Sequence, residues 1–292
     1  MENIRYDSVS AQYVNIDKKE VTTDISTLFR DWKSDEKLIV MSPHDDDAII
    51  GAGYAMLAAK KAGADVFVCI FCNGNAGYSR LEDKENIIEC RRKEAYECYR
   101  RIGIAEDHII RLEFPDFSAY GHMGWQLLDG QEGDMPRILR FLRENKITRM
   151  MVPNHYHEHI DHLAACLMSS YNAPQAGDAM RVDYGEPCQI RSVLQYSVWA
   201  DLDPEDAFIH GRSSALRANR MIVVNKAAEE MIDEGIRAFG SQGLIIENLV
   251  NGRKNRVTEK GKYIEVYIDF DPRPVIDLNP YVEFMNGLDG DA

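Results

Sequence analysis

Lys37-Leu38-Ile39-Val40-Met41, then Ser42, then Pro43-His44-Asp45-Asp46-Asp47 is the stretch on which the fold turns. KLIVM is a short, largely apolar run and reads as a buried parallel strand. Asp46 to Lys61 carries helical spacing, with Ile49, Ile50, Tyr54 and Leu57 on one face, and Gly63 closes that helix. Val66 to Phe71 (VFVCIF) reads as a second buried strand. Together they form a βαβ unit, for which a right-handed crossover is expected.

The alternation continues outward. Asp83 to Ile102 reads as a long charged helix ending at Gly103, and His108 to Leu112 as a third strand. Met135 to Asn145 is a helix, Thr148 to Val152 a strand, and Ile160 to Tyr171 a helix. Ser192 to Trp199 and Met221 to Val224 read as strands, and Ala227 to Phe239 as a helix. Tyr263 to Phe270 is a strand with period-2 alternation. Strands alternating with helices predict an α/β sandwich with a mainly parallel sheet. The first 36 residues and Tyr171 to Gln189 read as extensions or irregular inserts. Neither has the composition of a flexible linker, so 1–292 is expected to form a single domain.

Composition narrows the function. A folded chain of 292 residues buries roughly 75% of its unfolded surface, enough for a full core. Acidic side chains number 48 against 34 basic ones, giving a net charge of −14. That balance disfavours a nucleic-acid or anionic-membrane binder, which needs clustered Lys and Arg. No apolar run approaches the ~18 residues of a membrane span. The N-terminus lacks the apolar core of a secretion signal. A cytoplasmic location is therefore expected. The six cysteines sit mostly in apolar runs and read as reduced core residues. Cys69 and Cys72 have CxxC spacing, but a strand would point them to opposite faces, which argues against a metal pair.

A second cluster, His159-Ile160-Asp161-His162, follows the strand at Thr148 to Val152. Each cluster combines histidine with carboxylate, the ligand types of a catalytic zinc site, and each lies on a strand-to-helix turn. Capping alone is the plainer alternative, since Asp is favoured at helix N-termini. For no site to exist, that explanation must hold at both turns. Two histidines and one carboxylate drawn from the pair would meet the three-ligand rule of catalytic zinc.

With these motifs in this order the chain resembles the LmbE/PIG-L family of zinc-dependent N-deacetylases. Members carry a His-Pro-Asp-Asp-Glu-type motif after the first strand of a Rossmann-like sheet and a His-x-Asp-His motif after a later one. The resemblance spans roughly residues 37–170. It implies a Rossmann-like three-layer sandwich and a zinc ion, or another divalent metal, held by His44, Asp47 and His162. It implies Asp46 as general base, Asp161 as the group orienting a neighbouring histidine, and His159 near the developing oxyanion. Arg91, in Arg91-x-x-Glu94, and Asp116, in Phe114-Pro115-Asp116, match positions that in relatives lie near the substrate. A Ser241-Gln242 pair matches a further signature and reads as structural. The implied reaction removes an acetyl group from an N-acetylated amino sugar, an N-acetylglucosaminide-like small molecule or oligosaccharide.

Three positions depart from the pattern. Asp45 replaces the usual proline, Ala48 the usual glutamate, and Asn75 an often acidic residue. Asp45 adds a carboxylate that could raise a neighbour's pKa or bind a second cation. Other outcomes kept open are an amidase for a different acyl group or a glycosylated natural product, a non-catalytic sugar- or metal-binding relative, and a homo-oligomer. A nucleotide-binding protein is excluded, because three carboxylates at the first turn would repel a pyrophosphate. His155 and His157 read as more solvent-exposed than pocket-lining.

Overall fold

A computed structural model describes residues 6–200, 202 and 216–289. Nine strands form one sheet: β1 (Ala11–Asn15), β2 (Glu20–Thr22), β3 (Lys37–Ser42), β4 (Asp65–Cys72), β5 (Ile109–Phe114), β6 (Arg149–Pro153), β7 (Ser192–Tyr196), β8 (Arg220–Val224) and β9 (Tyr263–Phe270). Their order across the sheet is β2-β1-β8-β9-β7-β6-β3-β4-β5. Among the described residues the α-helices are α1 (Asp47–Lys61), α2 (Ile87–Arg101), α3 (Asp134–Glu144), α4 (Ile160–Gln175), α5 (Lys226–Ile236), α6 (Gly243–Arg253) and α7 (Asn279–Asp289). None of them is long and apolar enough to cross a membrane.

The KLIVM run is buried on both sides, as its lack of polar alternation requires. Leu38 and Val40 pack on one face with Ile49, Met56 and Leu57 of α1 and with Ile232 of α5. Ile39 and Met41 pack on the other with Ile138 and Leu142 of α3 and Met168 of α4. Helices therefore cover both faces of the strands that carry the two motifs.

The expected mainly parallel sheet is corrected to a mixed one. β5, β4, β3, β6 and β7 pair in parallel. β7–β9, β9–β8, β8–β1 and β1–β2 pair antiparallel. Strand–helix alternation does not fix direction when the returning strand enters an edge the other way. The period-2 pattern of β9 was the signal, since antiparallel strands commonly leave one face wet; Val266 is 39% exposed there. The N-terminal segment is also corrected: it supplies the β1–β2 hairpin that extends the sheet beyond β8. Its residues 1–5 lie outside the described residues. The helix read from Asp83 begins at Ile87, after a single 3-10 turn at Leu81–Asp83. The segment after α4 is largely irregular, and buried Arg143 organises it by donating to the carbonyls of Gln175, Asp178, Met180 and Arg181.

In the parallel half, β3 is followed spatially by β4 and β5 on one side and by β6 and β7 on the other. The chain order reverses between β3 and β6, the position at which open α/β sheets form a crevice beyond their strands' carboxyl ends. At the opposite end Glu36 ties these strands together. It accepts from Arg149 Nε of β6 at 3.0 Å, from Arg191 just before β7, from the Thr148 hydroxyl, and from Lys33 N at 2.8 Å.

Burial works to raise the Glu36 pKa, but Arg149, Arg191 and Thr148 outweigh it and hold the carboxyl down at about 2. An unfolded glutamate titrates at about 4.3. Glu36 therefore stabilises the fold fully above that value and loses its contribution as the pH falls from about 4 through about 2. Glu36→Gln should be less stable at pH 7, with a gap to the parent that narrows toward pH 3. Urea unfolding at pH 7, 4 and 3 measures it.

Candidate metal centre and cleft

The turn after β3 spends its three aspartates in three ways. Asp47 reaches back to accept the His44 backbone N–H at 2.8 Å. Asp46 stands at the helix N-cap without making a capping bond. Asp45 is fully buried, held by Arg91 Nε at 3.3 Å and by Arg111 Nη1. The buried N–H of Ala48, in the first turn of α1, is capped by Ser42 Oγ at 3.0 Å instead. Capping therefore does not account for the aspartates. The second cation that Asp45 might have bound is replaced by two guanidinium groups.

His44, Asp47 and His162 converge, with one nitrogen or oxygen from each lying within 4.8 Å of the others. Asp47 Oδ2 is 3.1 Å from His44 Nδ1 and 3.1 Å from His162 Nε2. The other nitrogen of each ring meets a carboxylate. His44 Nε2 is 3.3 Å from Asp161 Oδ2, and His162 Nδ1 is 2.6 Å from Glu158 Oε2. With a cation among them, those outer contacts would hold the ring protons outward and leave the lone pairs inward, toward Asp47. His162 Nε2 is buried and makes no hydrogen bond. Two imidazole nitrogens and a carboxylate oxygen facing one another are a donor set of the kind that holds a divalent cation. Ligand atoms of a tetrahedral zinc with bonds of about 2.0–2.1 Å stand roughly 3.3 Å apart, close to the spacing seen here. The residues fit the group.

Electrostatics point the same way. Burial opposes a protonated His162, but Asp47 and Glu158 outweigh it and raise its pKa to about 9. His44 is likewise raised, against its burial, by Asp161 and Asp47. Asp161 is held at about 2, because His44 and the N–H groups of Phe117 and Ala119 overcome its burial. Burial pushes Asp46 upward, with Arg91 opposing. The pocket carries surplus negative charge, which a divalent cation would neutralise in place of protons.

A cavity of about 220 Å³ opens on this cluster. His44, Asp46, Asp47 and His159 form its floor, and Phe117 and Trp199 stand at its sides. His159 Nδ1 accepts the Asp161 N–H at 3.1 Å, so the neutral ring carries its proton on Nε2. Arg91 also lines the cavity and is only 3% exposed. Its Nη2 lies 3.5 Å from Asp46, and its Nη1 is buried without a partner. Asp116 lines the cavity and also accepts Gly74 N and Ala76 N, each at 2.9 Å, while Asn75 Oδ1 accepts Asp116 N at 2.7 Å. Gly74 has a φ of +78°, and a Cβ there would meet Arg91 and Asp45 Oδ2 at 3.0–3.1 Å, so both conformation and space require glycine.

Several participants were not legible. Glu158 bonds His162 but stands just before the second cluster, where nothing in the sequence singled it out. Cys72, read as core, lies with His44 and Asp116 in a second group of neighbouring ligand-type atoms. Gln242 of the supposedly structural pair lines the cavity, as do Ile245 and Leu249 of α6, a helix the periodicity did not mark. Ser241 itself is tied to Glu94 through its backbone N–H and its hydroxyl, each at 2.7 Å. His157 is exposed. His155 turns away from the cluster toward Cys166 and Gln195.

A mixed α/β sheet with a cluster of His and Asp side chains at its switch point is the frame in which comparison with known proteins is read. Residues 39–169 match the family model described as PIG-L: GlcNAc-PI de-N-acetylase, the stretch that holds both motifs, and the match supports the resemblance read from them. In fold it is similar to an N,N'-diacetylchitobiose deacetylase from Pyrococcus horikoshii (16% identity, TM-score 0.63, covering 85% of this chain and 88% of that one). It is similar to a 4-carboxy-2-hydroxymuconate hydratase from Pseudomonas putida (15%, TM-score 0.61, 83% and 99%). It is also similar to a deacetylase of teicoplanin biosynthesis (17%, TM-score 0.53, 80% and 99%). No curated protein matches the chain by sequence.

Asp45→Asn should leave Arg91 and Arg111 buried beside a neutral amide, at a cost of about 3–5 kcal/mol. A lower urea midpoint at unchanged slope is the expected result.

Proposed function

We propose that this protein is a metal-dependent hydrolase that removes the N-acetyl group from an N-acetylated amino sugar. The carrying observation is the unpartnered, buried His162 Nε2 facing Asp47 and His44, with Asp46 beside them on the cavity floor. The family description and the two deacetylases of like fold support the reaction class. The hydratase of the same fold shows that architecture alone does not select the chemistry.

In this reading His44, Asp47 and His162 hold the metal, with zinc the ion best suited to two imidazoles and a carboxylate. When bound, it supplies a Lewis acid for the amide carbonyl and lowers the pKa of water. Asp46 accepts the water's proton and returns it to the departing amine; a carboxylate raised by burial is better suited to both transfers. His159 directs its Nε2 proton to the oxygen on which negative charge develops. Asp161 holds the His44 ring in the ligating tautomer. Arg91 and Asp116, which both line the cavity, contact the sugar's polar groups. Phe117 and Trp199 limit water at the reacting bond.

A single domain over 1–292 is part of this reading, supported by the sharing of one sheet between the parallel and antiparallel halves. Its acidic surface suits a small-molecule or oligosaccharide amide in the cytoplasm rather than a nucleic acid.

Acetate release from a panel of N-acetylglucosaminyl compounds, with and without a chelator, tests the reading. Chelator-sensitive release is expected. Asp46→Asn should retain metal and lose about 10²–10⁴-fold in turnover, whereas His162→Ala should lose the metal. Full activity in Asp46→Asn would sink the base assignment, and no acetate from any member would remove the deacetylase reading.

A further inference from the structure

We propose that Glu158 is a positioning residue that couples the metal-facing side of His162 to the Trp199 wall of the cavity. This rests on the metal-centre reading above. The Glu158 side chain is sealed from solvent, as is that of His162. Its two oxygens have separate duties. Oε2 takes His162 Nδ1 at 2.6 Å. Oε1 takes the Ser197 hydroxyl at 2.8 Å and the successive N–H groups of Val198, Trp199 and Ala200 at 3.0, 3.2 and 3.2 Å. Three consecutive backbone N–H groups on one oxygen form an anion nest. The turn that follows β7 is thus folded around this carboxylate, and the indole it carries lies 5.2 Å from the His162 ring and 6.2 Å from His159.

Two consequences follow. The Nδ1 contact selects the His162 tautomer whose Nε2 lone pair faces Asp47. The Oε1 contacts fix where Trp199 stands. One residue sets both, so the cation site and the substrate-facing wall keep a common register. A neutral amide would separate the two duties. In Glu158→Gln the carbonyl oxygen best serves the four donors of the turn, leaving the NH₂ against His162 Nδ1. The ring must then accept at Nδ1 and carry its proton on Nε2, where the metal should be. Glu158→Ala loses both duties.

The test uses the full chain with Trp32→Phe and Trp125→Phe, leaving Trp199 as the single tryptophan. Zinc affinity is measured by competition with a chromophoric chelator, and the Trp199 position by acrylamide quenching of the zinc-free protein. Glu158→Gln is expected to bind zinc about 10–100-fold more weakly with quenching unchanged. Glu158→Ala is expected to lose zinc affinity and to show increased quenching. Parent-like zinc binding in Glu158→Gln, or parent-like quenching in Glu158→Ala, overturns the coupling while leaving the metal centre standing. If the parent binds no zinc, or His162→Ala binds it equally well, the metal-centre reading falls and the coupling falls with it.

Discussion

The direct parallel pairing of β3 with β6 is the constraint from which the rest of this structure follows. Leu38, Ile39 and Val40 lie opposite Arg149, Met150 and Met151. The two strands are remote in sequence, yet each hands its next residues to the same crevice. His44 and Asp47 arrive from one strand, and His159, Asp161 and His162 from the other. A switch point leaves this crevice open because the connections on either side run away from it. Below, the Glu36 clamp fastens the same strands at their opposite ends, so their register is held from both directions.

The crevice concentrates carboxylates, and their surroundings set them apart. Asp45 is neutralised by Arg91 and Arg111 and has become part of the scaffold. Asp47 and Asp161 stay charged because histidines and backbone N–H groups stabilise them. Asp46 has Arg91 at 3.5 Å but no capping bond, and burial raises its proton affinity. Four aspartates of equal intrinsic acidity thereby acquire four different environments, and the ligand, orienting and base roles proposed for three of them rest on that difference. Asp45 also shows how a departure from the family pattern is absorbed: the added charge is met by a second arginine, from β5.

Two carboxylates, Asp161 in the second cluster and Glu158 just before it, link the histidines to the cleft walls. Asp161 joins His44 to the turn bearing Phe117, through the N–H groups of Phe117 and Ala119. Glu158 joins His162 to the turn bearing Trp199. The centre and the aromatic walls are therefore parts of one hydrogen-bonded unit, built from loops that follow β5, β6 and β7.

By itself the sequence determined the strands of the parallel half, the helices between them, and both metal-type clusters, because these depend on short-range periodicity and on residues adjacent in the chain. His44, Asp46, Asp47, Asp161 and His162 were legible for that reason. Only the tertiary structure decided the direction of β9, the pairing of the N-terminal hairpin, and the place of α6 against the cavity. Those depend on which edges and apolar faces meet, and local pattern does not encode that. The burial of Arg91 against Asp45 and Asp46 is likewise a product of packing between α2 and the turn after β3. Glu158 is the clearest case: its chemistry comes from a turn that lies some 40 residues away in the chain, brought to it by the pairing of β6 with β7.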